Sequence, residues 1–544
     1  MTATLDRPAV SARSHGLTGT WQLTRLALRR DRLTIPLWIV VLSLSPMSSA
    51  KAYETLYPTA VERAGLIHGA GANPSIAVIY GPAFDLSTAG GFTAWRLVGF
   101  MALMVGLMAV FTVTRHTRAE EDSGRAELLA SGVVGRYAAL TAAVIVSIGT
   151  SVGIGLVTTA GLIGTKLPTE GSIAFGAAVV LAGLVFTAIA AVAVQAAEYS
   201  RTANGIGSAA VGIAFLLRAI GDSTTDAKWI SWLSPIGWTQ QMRAYAGERW
   251  WVALIGVAAA VVIGGVGYAL LPRRDVGVGI IPARPGPAEA ASSLRSPFAL
   301  AWRLHRGPLI GWTIGMAVCG AVFGSIASGI GELVGGNGQA QEIFQRMGGS
   351  AALVDAFMAA MVGMFGMVIA LYGVQAALRM RGEETAVRLE PLLATQVGRL
   401  RWASSHLVFA FAGSGGMLLL TGVMLGLGNG LRAGDVGGSV ADTVAGTLAV
   451  LPAVWVIIGV TVAIFGLLPK YSGAGWAVAM VALLLSLFGP VVNLPQAVLD
   501  ISPFSHAPKI PGQAFTATPL IWLTAIALAA LVAGLTGFRR RDIG

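Results

Sequence analysis

The sequence predicts an all-α polytopic membrane fold of about twelve transmembrane helices, arranged as two parallel six-helix repeats, and three observations predict it. Only 12% of the 544 residues are charged, against roughly 25% in an ordinary soluble domain. Apolar residues make up 55% of the chain and gather in long runs, with a mean hydropathy of +0.72. One charged loop pattern occurs twice. A surface with so few charges cannot be kept in water, whereas a bilayer core about 30 Å thick takes about 20 apolar residues per helical crossing.

The runs that meet this requirement are 35–50, 94–114, 138–164, 173–196, 205–220 and 251–271 in the first half of the chain. In the second half they are 309–329, 353–377, 403–427, 444–468, 473–491 and 520–538. The first run follows about 33 mostly polar residues with no cleavage site after it, so it reads as a retained crossing rather than a signal. The single cysteine, Cys319, lies inside an apolar run and excludes an internal disulfide. The Ala/Gly-rich composition suggests a GC-rich bacterial genome.

The net charge of +11 does not point to nucleic acid. Positive residues cluster at 25–32, 115–136, 273–306, 379–401 and 539–541, on one side of the predicted crossings, as the positive-inside rule requires. Both termini are expected in the cytoplasm of a bacterial cell, with the chain in its plasma membrane. The expected organisation is a disordered tail (1–16), a first half (17–271), a Pro-containing cytoplasmic linker (272–295) and a second half (296–544). Loop 221–250 holds an aromatic stretch that reads as interfacial or re-entrant, because amphipathic rings favour the membrane boundary.

The loop after the second crossing contains Arg118, Glu120, Glu121, Arg125, Glu127, Val134, Gly135 and Arg136. Adding 263 to each number gives Arg381, Glu383, Glu384, Arg388, Glu390, Val397, Gly398 and Arg399, the same residues in the loop after the eighth. Weaker matches keep the same order: Arg29, Arg32 and Trp38 with Arg303, Arg306 and Trp312, Tyr199-Ser200 with Tyr471-Ser472, and Ser234-Pro235 with Ser502-Pro503. An even number of crossings per half makes the repeats parallel rather than inverted.

A charge in mid-membrane costs about 2.5–3.5 kcal/mol on insertion scales, so these loops stand in water. Residues 120–130 read as one short surface helix, with Glu120 and Glu127 on one face, Arg125 four residues after Glu121, and Leu128 and Leu129 turned towards the membrane domain. A solvated charged helix that only satisfies topology would explain one such loop. Topology has no use for glutamates at repeated spacing, so a docking surface for a cytoplasmic partner is the better reading.

At this loop the sequence resembles the ABC-type export permeases of the ABCG-like (type V) fold, whose coupling segment has an acidic–x–x–Gly–x–x–Glu–x–Leu pattern. Glu121, Gly124, Glu127 and Leu129 match it. In the second copy Glu384, Glu390 and Leu392 match, Val387 replaces the glycine, and in both copies the family's usual proline is missing, with Val133 and Gln396 in its place. The fused twelve-helix form looks closest to actinobacterial permeases that export polyketide antibiotics such as tetronasin. The resemblance implies a permease subunit of an ATP-driven multidrug or antibiotic exporter, with two copies of a separate ABC ATPase subunit carrying ATP and Mg. Partner docking would then fall to Glu120, Glu121, Arg125, Glu127, Glu383, Glu384, Arg388 and Glu390. It also implies that the second and fifth crossings of each half line the path of an amphipathic substrate. Met101, Met104, Met108 and Phe111, with Met361, Met364, Phe365 and Met367, are the path candidates, and adaptable Met surfaces suit varied apolar cargo. Lipid-facing or packing roles are equal readings for each.

The chain has no G-x-x-x-x-G-K-[ST] phosphate loop, no Cys/His set with metal spacing and no G-x-S-x-G elbow, so no enzyme activity, cofactor or metal is expected of it. The rival reading is a proton-coupled twelve-helix drug carrier. Such a carrier places a carboxylate in mid-membrane, and Arg96, Arg218, Asp355 and Asp442 all fall at outer helix ends, where snorkelling explains them.

Overall fold

The structure is a computed structural model that describes residues 16–542 except 70, 72–73, 131, 224–225, 282–285, 287, 335–348 and 489–494. The expected tail therefore lies outside the described residues up to position 15. The chain divides into two compact units, Met1–Pro285 and Gly286–Gly544.

In the first unit α1 (Thr20–Arg30) is amphipathic and precedes α2 (Thr34–Leu56). Two short helices, α3 (Ala60–His68) and α4 (Pro74–Tyr80), occupy part of what reads in the sequence as a long loop. Then follow α5 (Ala89–Arg115), α6 (Arg118–Asp122), α7 (Arg125–Ala130), α8 (Ala138–Gly164) and α9 (Thr169–Ala196). The unit closes with α10 (Ser200–Ser223), α11 (Pro235–Gln241) and α12 (Trp251–Leu270). Helix α9 is the hub, with α5, α8 and α12 packed against it. Its buried face is mostly Ala, Gly and Val, and small side chains let helix backbones approach where lipid supplies no hydrophobic drive between them.

The second unit comprises α13 (Pro297–Val334), α14 (Gly349–Thr385), α15 (Leu389–Leu393), α16 (Arg399–Ala433) and α17 (Val436–Leu467). It ends with α18 (Ala474–Phe488), α19 (Gln496–Leu499) and α20 (Ala517–Arg540). Here α17 is the hub, packed by α14, α16 and α20. Gly466 of α17 faces Gly534 of α20, and a Cβ on Gly466 would collide with the Gly534 carbonyl.

Among the described residues eleven helices are long and apolar enough to cross a membrane, and α18 is a shorter apolar helix. The remaining expected run, 473–491, falls on α18, with its last residues outside the described set. Several helices outrun their apolar runs, as α14 does by extending to Thr385, because helical hydrogen bonding continues into charged sequence where no breaker stops it.

The matched Ser-Pro pairs play the same capping part in both units, at α11 in the first and at a 3-10 turn (Pro503–His506) in the second. The Ser234 hydroxyl accepts from the Ile236 and Gly237 amides (3.1 and 3.2 Å) and donates to the Ala214 carbonyl at 2.6 Å. The Ser502 hydroxyl accepts from the Phe504 amide at 3.4 Å and donates to the Ala482 carbonyl at 3.2 Å. Each serine thus caps a short turn and ties it to the preceding apolar helix. In the first unit that turn is α11, which packs against α5, α9, α10 and α12 rather than lying alone at a boundary.

Arg218 departs from the snorkelling expected of it. Its side chain is wholly buried, and its guanidinium donates to the Ala77 and Ile79 carbonyls at 3.1 Å each. It satisfies the Ile79 carbonyl at the end of α4 and adds a second donor to the Ala77 carbonyl, which also accepts from the Gly81 amide, and Asp222 lies 3.8 Å away. Arg96 is exposed over the Phe92 ring, as snorkelling requires.

Candidate functional site: the repeated charged loop

The repeated loop of the first unit is bonded to the ends of α1, α9 and α10 and to the chain leaving α12. It is not one helix over 120–130. Gly124 takes φ +71° and separates α6 from α7, so residues either side of it lose helical register. Arg125 consequently does not pair with Glu121 as i, i+4 spacing suggests. It pairs with Glu120 at 3.3 Å, and Arg30 of α1 grips the same carboxylate at 2.5 Å.

Glu121 is held more tightly. Arg118, wholly buried, donates to it at 2.7 Å, and Arg274, just past α12, adds two bonds at 2.7 and 2.9 Å. The Gly277 amide contributes another at 3.1 Å. Arg118 also donates to the Val194 carbonyl of α9 and the Val278 carbonyl (2.7 and 2.9 Å). Arg274 reaches the Gln195 side chain at 2.5 Å. Residue Asp122 accepts from the Ser200 amide at 2.8 Å, capping α10. The loop is therefore bonded to α1, α9, α10 and the chain leaving α12. That chain, which begins the expected linker, stays on the first unit, where the Ile280 and Ile281 amides donate to the Gln195 and Ala196 carbonyls.

The second unit repeats the central ion pairs of this arrangement with fewer hydrogen bonds. Glu384 pairs with Arg381 at 3.2 Å and with Arg541, just past α20, at 2.8 Å. Glu383 pairs with Arg388 at 3.7 Å, as Glu120 does with Arg125, and with Arg379 at 3.0 Å. Val387 stands where Gly124 stands and adopts the same left-handed backbone, φ +56°. That conformation is unfavourable for a β-branched residue, so the turn is imposed by its surroundings.

The eight docking candidates thus fall into two groups. Glu120, Glu121, Glu383 and Glu384, with arginines 125 and 388, are engaged in ion pairs inside their own units. Glu127 and Glu390 are exposed on α7 and α15. Leu128 is 76% exposed and does not turn inward as expected, and the Leu129 side chain lies outside the described residues. The second copy is seated instead by Leu389, fully buried, with Leu392 and Leu393 against the core.

The path candidates also divide. Met101 and Met108 are buried in the first unit's core, and Phe365 and Met367 in the second's. Met104, Met361 and Met364 are half-buried, and Phe111 is 44% exposed. On α5 the outward ridge runs through Phe100, Met104, Leu107 and Phe111, spaced as one helical face.

Arg274 and Arg541, which complete the two glutamate clamps, escaped the sequence reading. Their signal was present as arginines directly after the last crossing of each half, which positive-inside charge had already explained.

The family described as "Multidrug efflux system permease Rv1217c, C-terminal domain" matches residues 24–271 and 294–539, most of both units. The chain belongs to that family. The permease is 45% identical over 533 residues, 98% of this chain and 96% of the relative, to the multidrug efflux system permease protein Rv1217c of Mycobacterium tuberculosis. Multiple apolar helices and this kinship make it a multi-pass membrane permease of an efflux system rather than an enzyme.

Proposed function

We propose that the permease is the membrane subunit of an ABC-type exporter, driven by a separate ATPase, that moves amphipathic drugs or antibiotics out of the cell. The observation that carries this reading is the repeated loop, clamped by Glu121 and Glu384 to the end of the last long helix of each half while presenting Glu127 and Glu390 outward. A loop so fixed transmits a push at its tip to the helices it joins, and a floppy one would not. Two copies of the ATPase, holding ATP and Mg, would dock on α6–α7 and on the 383–390 segment, and both chain termini would share their side of the membrane. Closure of the pair would shift the halves from inward-open to outward-open as rigid bodies. Drug-like cargo agrees with the multidrug name of the relative and with the outward Phe and Met ridge of α5.

Glu127→Arg combined with Glu390→Arg is expected to abolish transport-stimulated ATP hydrolysis in the reconstituted complex, with membrane insertion and thermal stability unchanged. Full coupling in that variant would remove the docking assignment. Uncoupler-sensitive export by the lone chain would favour a proton-driven carrier instead.

A further inference from the structure

The first unit has a partly open cavity of about 290 Å³ beside the charged loop, at the lower end of ligand-pocket sizes. Its walls come from α1, the ends of α5 and α9, the start of α8 and the chain leaving α12. Leu23, Leu26, Leu140 and Val276 make much of it apolar. At its polar side stand Arg30, Arg136 and Arg274 with Glu120, Glu121 and Asp275.

The wall itself carries three arginines against three carboxylates, Glu120, Glu121 and Asp275, and Arg118 and Arg125, which pair with two of these from behind it, bring the guanidiniums to five. Glu120 is taken by Arg30 and Arg125, and Glu121 by Arg118 and Arg274. Each of these carboxylates faces two guanidiniums, and Arg136 remains, exposed at the wall and without an ion pair among the described residues. The repeat makes Arg136 informative. Its counterpart Arg399 donates to the Arg539 and Arg541 carbonyls at 3.0 and 2.7 Å and is spent on closing its own unit. The same arginine in the first unit is left facing a void. Neighbouring α1 has an apolar edge including Trp21 and Leu28, 69% and 44% exposed, which suits a helix lying at a membrane boundary.

We infer that this cavity binds an acidic amphiphile, with its apolar chain between α1 and α8 and its acidic group on Arg136. The source is either an anionic lipid of the adjacent leaflet or an acidic cargo molecule, and both offer the same chemistry. Since Glu120, Glu121 and Arg274 belong to both cavity and clamp, occupancy would reinforce the loop in the first unit. This proposal does not depend on a partner ATPase, and its test uses the permease alone.

The probe is a fatty acid carrying a photoactivatable diazirine near its chain end, applied to the full-length permease in detergent and mapped by peptide mass spectrometry. Labelling is expected in the peptides bearing Leu23, Leu26 and Leu140. Phosphatidylglycerol or an acidic exported drug should compete, the first pointing to lipid and the second to cargo. Arg136→Lys should retain labelling, and Arg136→Glu should weaken it about tenfold, as loss of one charge-assisted bond predicts. Ala139→Trp, at the cavity wall, should block it in protein that keeps its thermal stability. Equal competition by phosphatidylcholine, or labelling unchanged in Arg136→Glu, would overturn the assignment.

Discussion

Val387 shows most directly how the tertiary structure overrides a residue's own preference. Its φ of +56° places a β-branched side chain in a left-handed conformation that costs about 1–2 kcal/mol. Val387→Gly is therefore expected to raise the melting temperature of the permease, and Gly124→Val to lower it. Differential scanning fluorimetry in detergent checks both signs, and a fall for Val387→Gly would mean that the valine side chain contributes more than its backbone costs. The clamp glutamates behave differently. Removing one partner of a buried, multiply bonded pair costs about 3–5 kcal/mol, because the other charge is left unpaired. Glu121→Ala should consequently destabilise the first unit far more than Glu127→Ala, since Glu127 is exposed. Thermal unfolding of the two variants separates them. The sequence displayed these glutamates as equivalent, for spacing alone does not say which carboxylate an arginine 153 residues away will find.

At the scale of helices, α5 was legible as a crossing and illegible as a surface. Its composition marks it as membrane-spanning, while its apolar residues surround it and leave no amphipathic signal to tell core from path. Burial supplies the distinction. Met101→Ala, in the packed core, should cost about 2–5 kcal/mol by cavity formation. Phe111→Ala, on the outward ridge, should leave stability nearly unchanged and alter the spectrum of exported compounds. Melting curves and drug-susceptibility profiles of cells expressing each variant test the pair, and a stable Met101→Ala with an altered spectrum would reverse the assignment. The loop 120–130 fails as a single helix for a related reason. Helical spacing is visible in sequence, but the left-handed residue that interrupts it is marked by glycine in one copy and by valine in the other.

Across the whole chain, duplication is the organising fact. Each half carries the same clamp, Arg118–Glu121–Arg274 and Arg381–Glu384–Arg541, which joins the loop after its second crossing to the end of its last. If the clamp links loop to helix mechanically, exchanging its charges should preserve it. The double exchange Glu384→Arg with Arg541→Glu is expected to recover at least part of the export lost in either single variant, measured as drug accumulation in whole cells. Failure of the exchange to exceed both single variants would reduce the clamp to a local geometry that tolerates no reversal.

The sequence by itself determined the membrane class, the approximate crossings and the twofold repeat. Low charge, long apolar runs and identical residues at a constant offset are local properties that need no partner to be read. It also located the loop where the function is proposed to reside. Only the tertiary structure decided which glutamates are occupied, which methionines are buried, and that Arg218 clamps α4 instead of reaching for water. Those outcomes depend on groups far apart in the chain, brought together by packing at helix ends. Burial and pairing are properties of that assembly, and a one-dimensional pattern does not contain them.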